Sequence, residues 1–99
     1  MRTLYEWDSQ KATINLKKHG IRFETAIRVF SDPCAVVDQD RIEKGEQRWQ
    51  TIGIVDGILM ILVAHTVNEQ EDLETVRIIS ARRVTRNERR RYEKENGYL

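Results

Sequence analysis

Two strand-like runs separated by Asp56-Gly57 constrain this chain more than any other feature. Residues 48–55 (Arg-Trp-Gln-Thr-Ile-Gly-Ile-Val) and 58–66 (Ile-Leu-Met-Ile-Leu-Val-Ala-His-Thr) flank a dipeptide that tolerates positive φ at both positions. A type I′ hairpin turn requires that tolerance, and its twist suits paired strands. The second run is nearly all apolar, so it belongs in the middle of a sheet with both faces covered. Its neighbours can be read on either side. Cys34–Asp38 reads as an earlier strand, followed by a polar loop over 39–47 around Gly45. Residues 74–83 read as the last strand of the meander, after an acidic loop at 67–73.

Helical signals fill the remainder. Residues 3–7 form a short β-prone start, after which Asp8 is placed to cap a helix over 9–19. Gly20 stands just past its end, and Lys17, Lys18 and His19 complement the exposed carbonyls of its last turn. Phe23, Ala26, Ile27 and Phe30 fall at i, i+3, i+4 and i+7, the apolar face of a second helix, and Asp32-Pro33 stops it. Thr85 and Glu88 make a capping box for a final helix over 86–95, polar on every side except at Tyr92. Such a helix gains little from packing and must be held by its strand connection or by a partner. The expected architecture is α+β: a short strand, two helices, a meander of about four strands and a basic C-terminal helix, all in one domain over residues 1–99.

Charge is divided rather than abundant. The net charge is only +1, yet residues 66–76 hold four acidic and no basic residues, while 77–99 hold eight basic against three acidic. An oriented electrostatic surface follows, of the kind that meets a polyanion. The single Cys34 excludes an internal disulfide, and no Cys/His spacing suits a metal, so neither metal nor cofactor is expected. No apolar run is long enough to span a membrane, and no apolar segment marks a secretory signal. The expected compartment is the cytoplasm.

The hairpin also predicts a site. If the loop has two residues, Val55 faces Ile58, and counting outward sets Arg48 opposite His65, with Glu46 on the same face. A bulge would turn His65 to the other side. In the following strand, simple alternation points Arg77 and Arg83 one way and Ser80 and Arg82 the other. A carboxylate, an imidazole and guanidiniums at one sheet edge can run acid–base chemistry beside a phosphate. RNA fits best, because its own 2′-hydroxyl attacks the adjacent phosphorus with no metal required. The competing reading is a surface ion pair between Glu46 and Arg48 beside a partly buried His65.

Several stretches, in order and over nearly the whole chain, resemble the BrnT family of bacterial type II toxins, the ribonuclease partners of BrnA antitoxins. They are Tyr5-Glu-Trp-Asp, Asn15-Leu-Lys-Lys-His-Gly-Ile, Phe23-Glu-Thr-Ala, Val29-Phe, Asp32-Pro, Gly45-Glu-Gln-Arg-Trp, Thr51-Ile-Gly, His65-Thr, Arg77-Ile-Ile-Ser-Ala-Arg-Arg and Glu88-Arg-Arg-Arg-Tyr. The resemblance implies a RelE-like α+β fold, RNA cleavage that suppresses translation, and a BrnA-like antitoxin that supplies the DNA-binding part, with a heterotetramer as one arrangement. By position it implicates Lys17, His19, Glu46, Arg48, His65, Arg77, Ser80, Arg82, Arg83, Glu88 and Tyr92. The acidic 67–74 stretch departs from the family pattern by its length.

The leading expectation is therefore a metal-independent endoribonuclease toxin. Glu46 or His65 is the base, Arg48, Arg77 and Arg82 or Arg83 stabilise the pentacovalent phosphate, and His65 or Tyr92 is the acid. Lys17, His19, Ser80, Arg86, Arg89 and Arg90 are the expected RNA- and phosphate-binding groups, with the helix arginines facing RNA or antitoxin. The alternative is a non-catalytic module that binds nucleic acid or protein through the basic C-terminal helix.

Overall fold

The apolar run after Asp56-Gly57 is the central strand of a five-stranded sheet in the computed structural model, which describes residues 1–98. The chain runs β1 (Arg2–Glu6), α1 (Ser9–His19), α2 (Phe23–Ala26) continuing as a 3-10 turn (Ile27–Ser31), β2 (Val36–Glu43), β3 (Glu46–Val55), β4 (Leu59–Gln70), β5 (Leu73–Arg83) and α3 (Arg86–Glu95). Strand order is β1-β5-β4-β3-β2, with β1 parallel to β5 and every other pair antiparallel. Met60, Ile61, Leu62 and Val63 are all buried, which requires cover on both faces of β4.

That cover is unequal. On one face α1, α2 and the 3-10 turn close a core that includes Phe23, Val29, Ile61, Val63, Ile78 and Ala81. Gly53 permits the closest approach, since a Cβ there would lie 2.9 Å from Val29 Cγ2 and 3.1 Å from the Val29 carbonyl oxygen. On the other face α3 adds Tyr92, its one buried residue among those described, to a smaller cluster of Ile52, Met60 and Leu62, with Cys34, Val36, Ile54 and Val84 at its margin.

Helix α1 begins and ends as its sequence predicts. The Asp8 carboxylate accepts from the Gln10 and Lys11 amides at 2.8 and 3.1 Å, and Gly20 is left-handed at φ 70°. Between these ends, Asn15 ties the helix to the sheet. Its Nδ2 donates to the Ala81 carbonyl (2.9 Å) and its Oδ1 accepts from the Ala81 amide (3.0 Å), as a neighbouring strand would.

Three expectations need correcting. The polar loop expected over 39–47 is mostly strand: β2 continues to Glu43, and only Lys44-Gly45 turns, with φ of 52° and 78°. The acidic loop expected over 67–73 is likewise a turn at Glu71-Asp72 between extended strands. Both regions lie outside the apolar core, so their strands lack the alternation that reveals a half-buried strand. The second helix also tightens after Ala26. The tightened turn buries Val29 beside Phe23 and Ala26, leaving Ile27 and Phe30 at the margin of the core.

Candidate functional site

The sheet has one face closed by helices and a second face that α3 covers at only one end. Which side chains reach the open end depends on register. In the hairpin, Ile58 N donates to the Val55 oxygen at 3.2 Å across left-handed Asp56 and Gly57, as the turn chemistry predicts. Ile58 nevertheless stays outside the ladder, 87% exposed, and Leu59 pairs with Val55. The register moves by one residue. Trp49, not Arg48, therefore faces His65, and the expected Arg48–His65 pair does not form. A one-residue slip exchanges faces, so Arg48 and His65 lie on opposite sides of the sheet.

His65 is buried on the helix-covered side at 2% exposure. Its Nε2 lies 2.7 Å from Thr51 Oγ1, its Nδ1 3.4 Å from the Thr66 carbonyl oxygen, and its ring meets Phe30 edge-on at a centroid distance of 4.9 Å. A carbonyl only accepts, so Nδ1 carries the proton and Nε2 accepts from the threonine hydroxyl. Burial lowers the His65 pKa, outweighing the opposing effect of the Thr66 carbonyl.

A second irregularity assembles what sequence alternation separates. Ala64 pairs with Ser80 and His65 with Ile78, leaving Ile79 as an extra residue in β5. This β-bulge resets the alternation. Arg77 opposite Thr66, Ser80 opposite Ala64 and Arg82 opposite Leu62 now share the open face, whereas Arg83 opposite Ile61 lies on the other. The expected pairing of Arg77 with Arg83 is thus corrected, and Arg83 is removed from the cluster.

Arg77 Nη2 reaches across β4, above buried Thr66, to donate to Glu46 Oε1 at 2.6 Å. Arg48 Nη1 lies 2.7 Å from Glu43 Oε2, with the arginine side chain only 20% exposed and its Nε buried without a hydrogen-bond partner. A buried donor left unpaired is unfavourable by roughly 1–3 kcal/mol. Arg82 makes a two-pronged contact to Glu88 at 2.8 and 2.9 Å. That contact, with the Thr85 amide and hydroxyl, overcomes desolvation and holds the Glu88 carboxyl at about 2. Glu43, Glu46 and Glu88 are thus the carboxylates paired with Arg48, Arg77 and Arg82 on this face.

Other expected site residues lie apart from this group. The Tyr92 hydroxyl donates to Asp32 Oδ2 at 2.8 Å, and burial together with that carboxylate raises its pKa. Asp32 also accepts from the Cys34 and Ile54 amides, and these bonds outweigh burial to keep its own pKa low. Arg86, Arg89 and Arg90 are exposed along α3, and none pairs with a described carboxylate. Lys17 is exposed on α1 away from the arginine face, while His19 borders a cleft between α1 and β5. Glu43 and Asp32 were not singled out as site residues from sequence. The first lies in a stretch that reads as loop, and the second reads only as a helix stop. Among the described residues, no group of three His, Cys, Asp or Glu side chains forms a metal-ligand cluster.

The sequence profile described as "Ribonuclease toxin, BrnT, of type II toxin-antitoxin system" matches residues 7–88 of this chain. A crystal structure of the Brucella abortus ribonuclease toxin BrnT has a similar fold, with a TM-score of 0.67 at 24% sequence identity over 87% of this chain and 100% of that one. No curated protein sequence matches the chain.

Proposed function

Since the chain belongs to the BrnT family of ribonuclease toxins, with a RelE-like α+β fold, we propose that its open sheet face is the RNA-cleaving site. The observation that carries this reading is the convergence of Arg48, Arg77, Arg82, Ser80 and Glu46 on one face, with the buried Arg48 Nε lacking a partner. Family membership supports a general toxin and ribonuclease role, an RNA substrate and a cognate antitoxin.

In the proposed reaction the scissile phosphate displaces carboxylates from Arg48 and Arg77. Glu46, freed from Arg77, takes the proton of the 2′-hydroxyl as its oxygen attacks phosphorus. The two guanidiniums stabilise the charge on the pentacovalent phosphate, worth ~10²–10³ in rate for each well-placed donor. The 5′ oxygen leaves and takes a proton from water at this open face. The products carry a 2′,3′-cyclic phosphate and a 5′-hydroxyl, and the protein groups suffice without a metal. His65 and Tyr92 then serve as structural anchors rather than as acid or base, because each is buried and already bonded.

Residues 1–99 act as one toxin domain under this reading. A BrnA-like antitoxin covers the toxin, supplies DNA binding and assembles with it in the cytoplasm as a heterotetramer. No described helix is long and apolar enough to cross a membrane. The test is RNA cleavage by purified Arg48→Ala and Arg77→Ala proteins in EDTA. Both should fold and lose ~10²-fold or more in rate. Folded variants with full activity would sink the assignment.

A further inference from the structure

Strand β1 stops before β5 does. Its last paired residue, Glu6, sits beside Arg77, while β5 continues to Arg83. The outer edge of β5 beyond Arg77 therefore has no strand neighbour, and α1 lies along it. Asn15 takes both the amide and the carbonyl of Ala81. Between the helix and the remaining edge lies a cleft lined by Lys11, Ile14, Lys18, His19, Ile79 and Ser80.

The chemistry of this cleft is specific. Lys11 and Lys18 are exposed and pair with no described carboxylate, and Ile14 presents an apolar side chain that is 62% exposed. Ile79 is the extra residue of the bulge that brings Arg77 and Arg82 onto one face. Ser80 belongs to both regions: it borders the cleft, and its pairing with Ala64 sets it on the arginine face. It stands two residues from Arg82, roughly 7 Å along the strand. An extended polyanion held at the arginines can thus continue around the edge of β5 into the cleft. A peptide strand is a poorer occupant, because adding one needs the Ala81 groups that Asn15 already holds.

We infer that this cleft is a second RNA subsite, which holds a nucleotide flanking the scissile phosphate. Lys11 and Lys18 take its phosphate, and Ile79 and His19 lie against its base. The inference rests on the arginine face being the RNA site, and it adds a position that simple alternation of β5 does not disclose.

The test uses 2′-O-methyl RNA, which cannot be cleaved through the 2′-oxygen, as a labelled dinucleotide and a labelled octamer. Anisotropy is followed against salt for the wild-type chain and for a Lys11→Ala/Lys18→Ala variant, with circular dichroism confirming the fold. The wild type should bind the octamer more tightly than the dinucleotide. The variant should lose about tenfold of that gain, and its salt slope should fall by ~0.7, the value for one single-strand phosphate contact removed. An unchanged gain and slope would overturn the subsite, as would a variant that loses only antitoxin binding. Cleavage of unmodified RNA, measured in parallel, separates the two readings. An uncleaved RNA with a reduced slope would leave the subsite standing and remove the catalytic assignment. Normal cleavage with an unchanged slope would do the reverse.

Discussion

His65 and Glu46 show how a single residue's surroundings decide its role. Burial favours the neutral form of His65 in the fold, outweighing the Thr66 carbonyl that favours the charged form. A histidine whose folded pKa is lowered binds fewer protons when folded than when unfolded. Stability should therefore decline as pH drops below ~6.5, the unfolded value, and level off beneath the folded one. Replacing His65 with Gln should flatten that part of a denaturant-midpoint profile against pH, while the folded variant keeps its RNA-cleavage rate. A rate loss as large as that of an arginine variant would restore His65 to the chemistry. Glu46 should behave oppositely. Glu46→Gln removes the proposed base and should lower single-turnover cleavage by ~10²–10⁴, with thermal stability little changed because its pair with Arg77 is about 40% exposed on both sides.

Among the elements, α3 is the one held mainly by polar contacts. Tyr92 to Asp32, Asn96 Nδ2 to the Cys34 carbonyl, Arg91 to Asp38 and Glu88 to Arg82 fasten it at separate points. Tyr92→Phe removes one bond from Asp32 but leaves its two amide donors, so a loss of about 1 kcal/mol is expected in chemical denaturation. Glu88 contributes above its unfolded pKa of 4.5, and that contribution should vanish as pH falls towards about 2. Acid unfolding of a Glu88→Gln variant should lack that component. The close contact under Gly53 gives a different expectation: Gly53→Ala should lower the melting temperature, because Val29 backbone as well as side chain would have to give. Caps, turns and the apolar central strand were legible because each rests on local chemistry. Asp8, Gly20, Asp56-Gly57 and the Thr85–Glu88 box fall where short-range rules place them. The polar ends of β2 and β4 were hidden, since outside the core nothing imposes alternation. Register was hidden too. Whether Ile58 joins the ladder and whether Ile79 bulges depend on packing along whole strands, and those two residues decide which arginines meet.

For the molecule as a whole, the two sheet faces divide the work. Helices close one face around a continuous apolar core, and the incomplete cover by α3 leaves guanidiniums and carboxylates on the other. Placement in the BrnT family accords with that layout and implies a cognate antitoxin. Induced expression should arrest growth, and co-expression of the cognate antitoxin should relieve it; toxicity unaffected by that antitoxin would dissociate the two. In the proposed reaction the open face cleaves RNA through its own side chains and the substrate's 2′-hydroxyl. The most direct measurement is to incubate the purified chain with RNA in EDTA and determine the chemistry of the new ends. Cleavage yielding 2′,3′-cyclic phosphate and 5′-hydroxyl ends, abolished in Arg77→Ala, is the predicted result. Cleavage that needs a divalent metal, or that leaves 5′-phosphate ends, would contradict it.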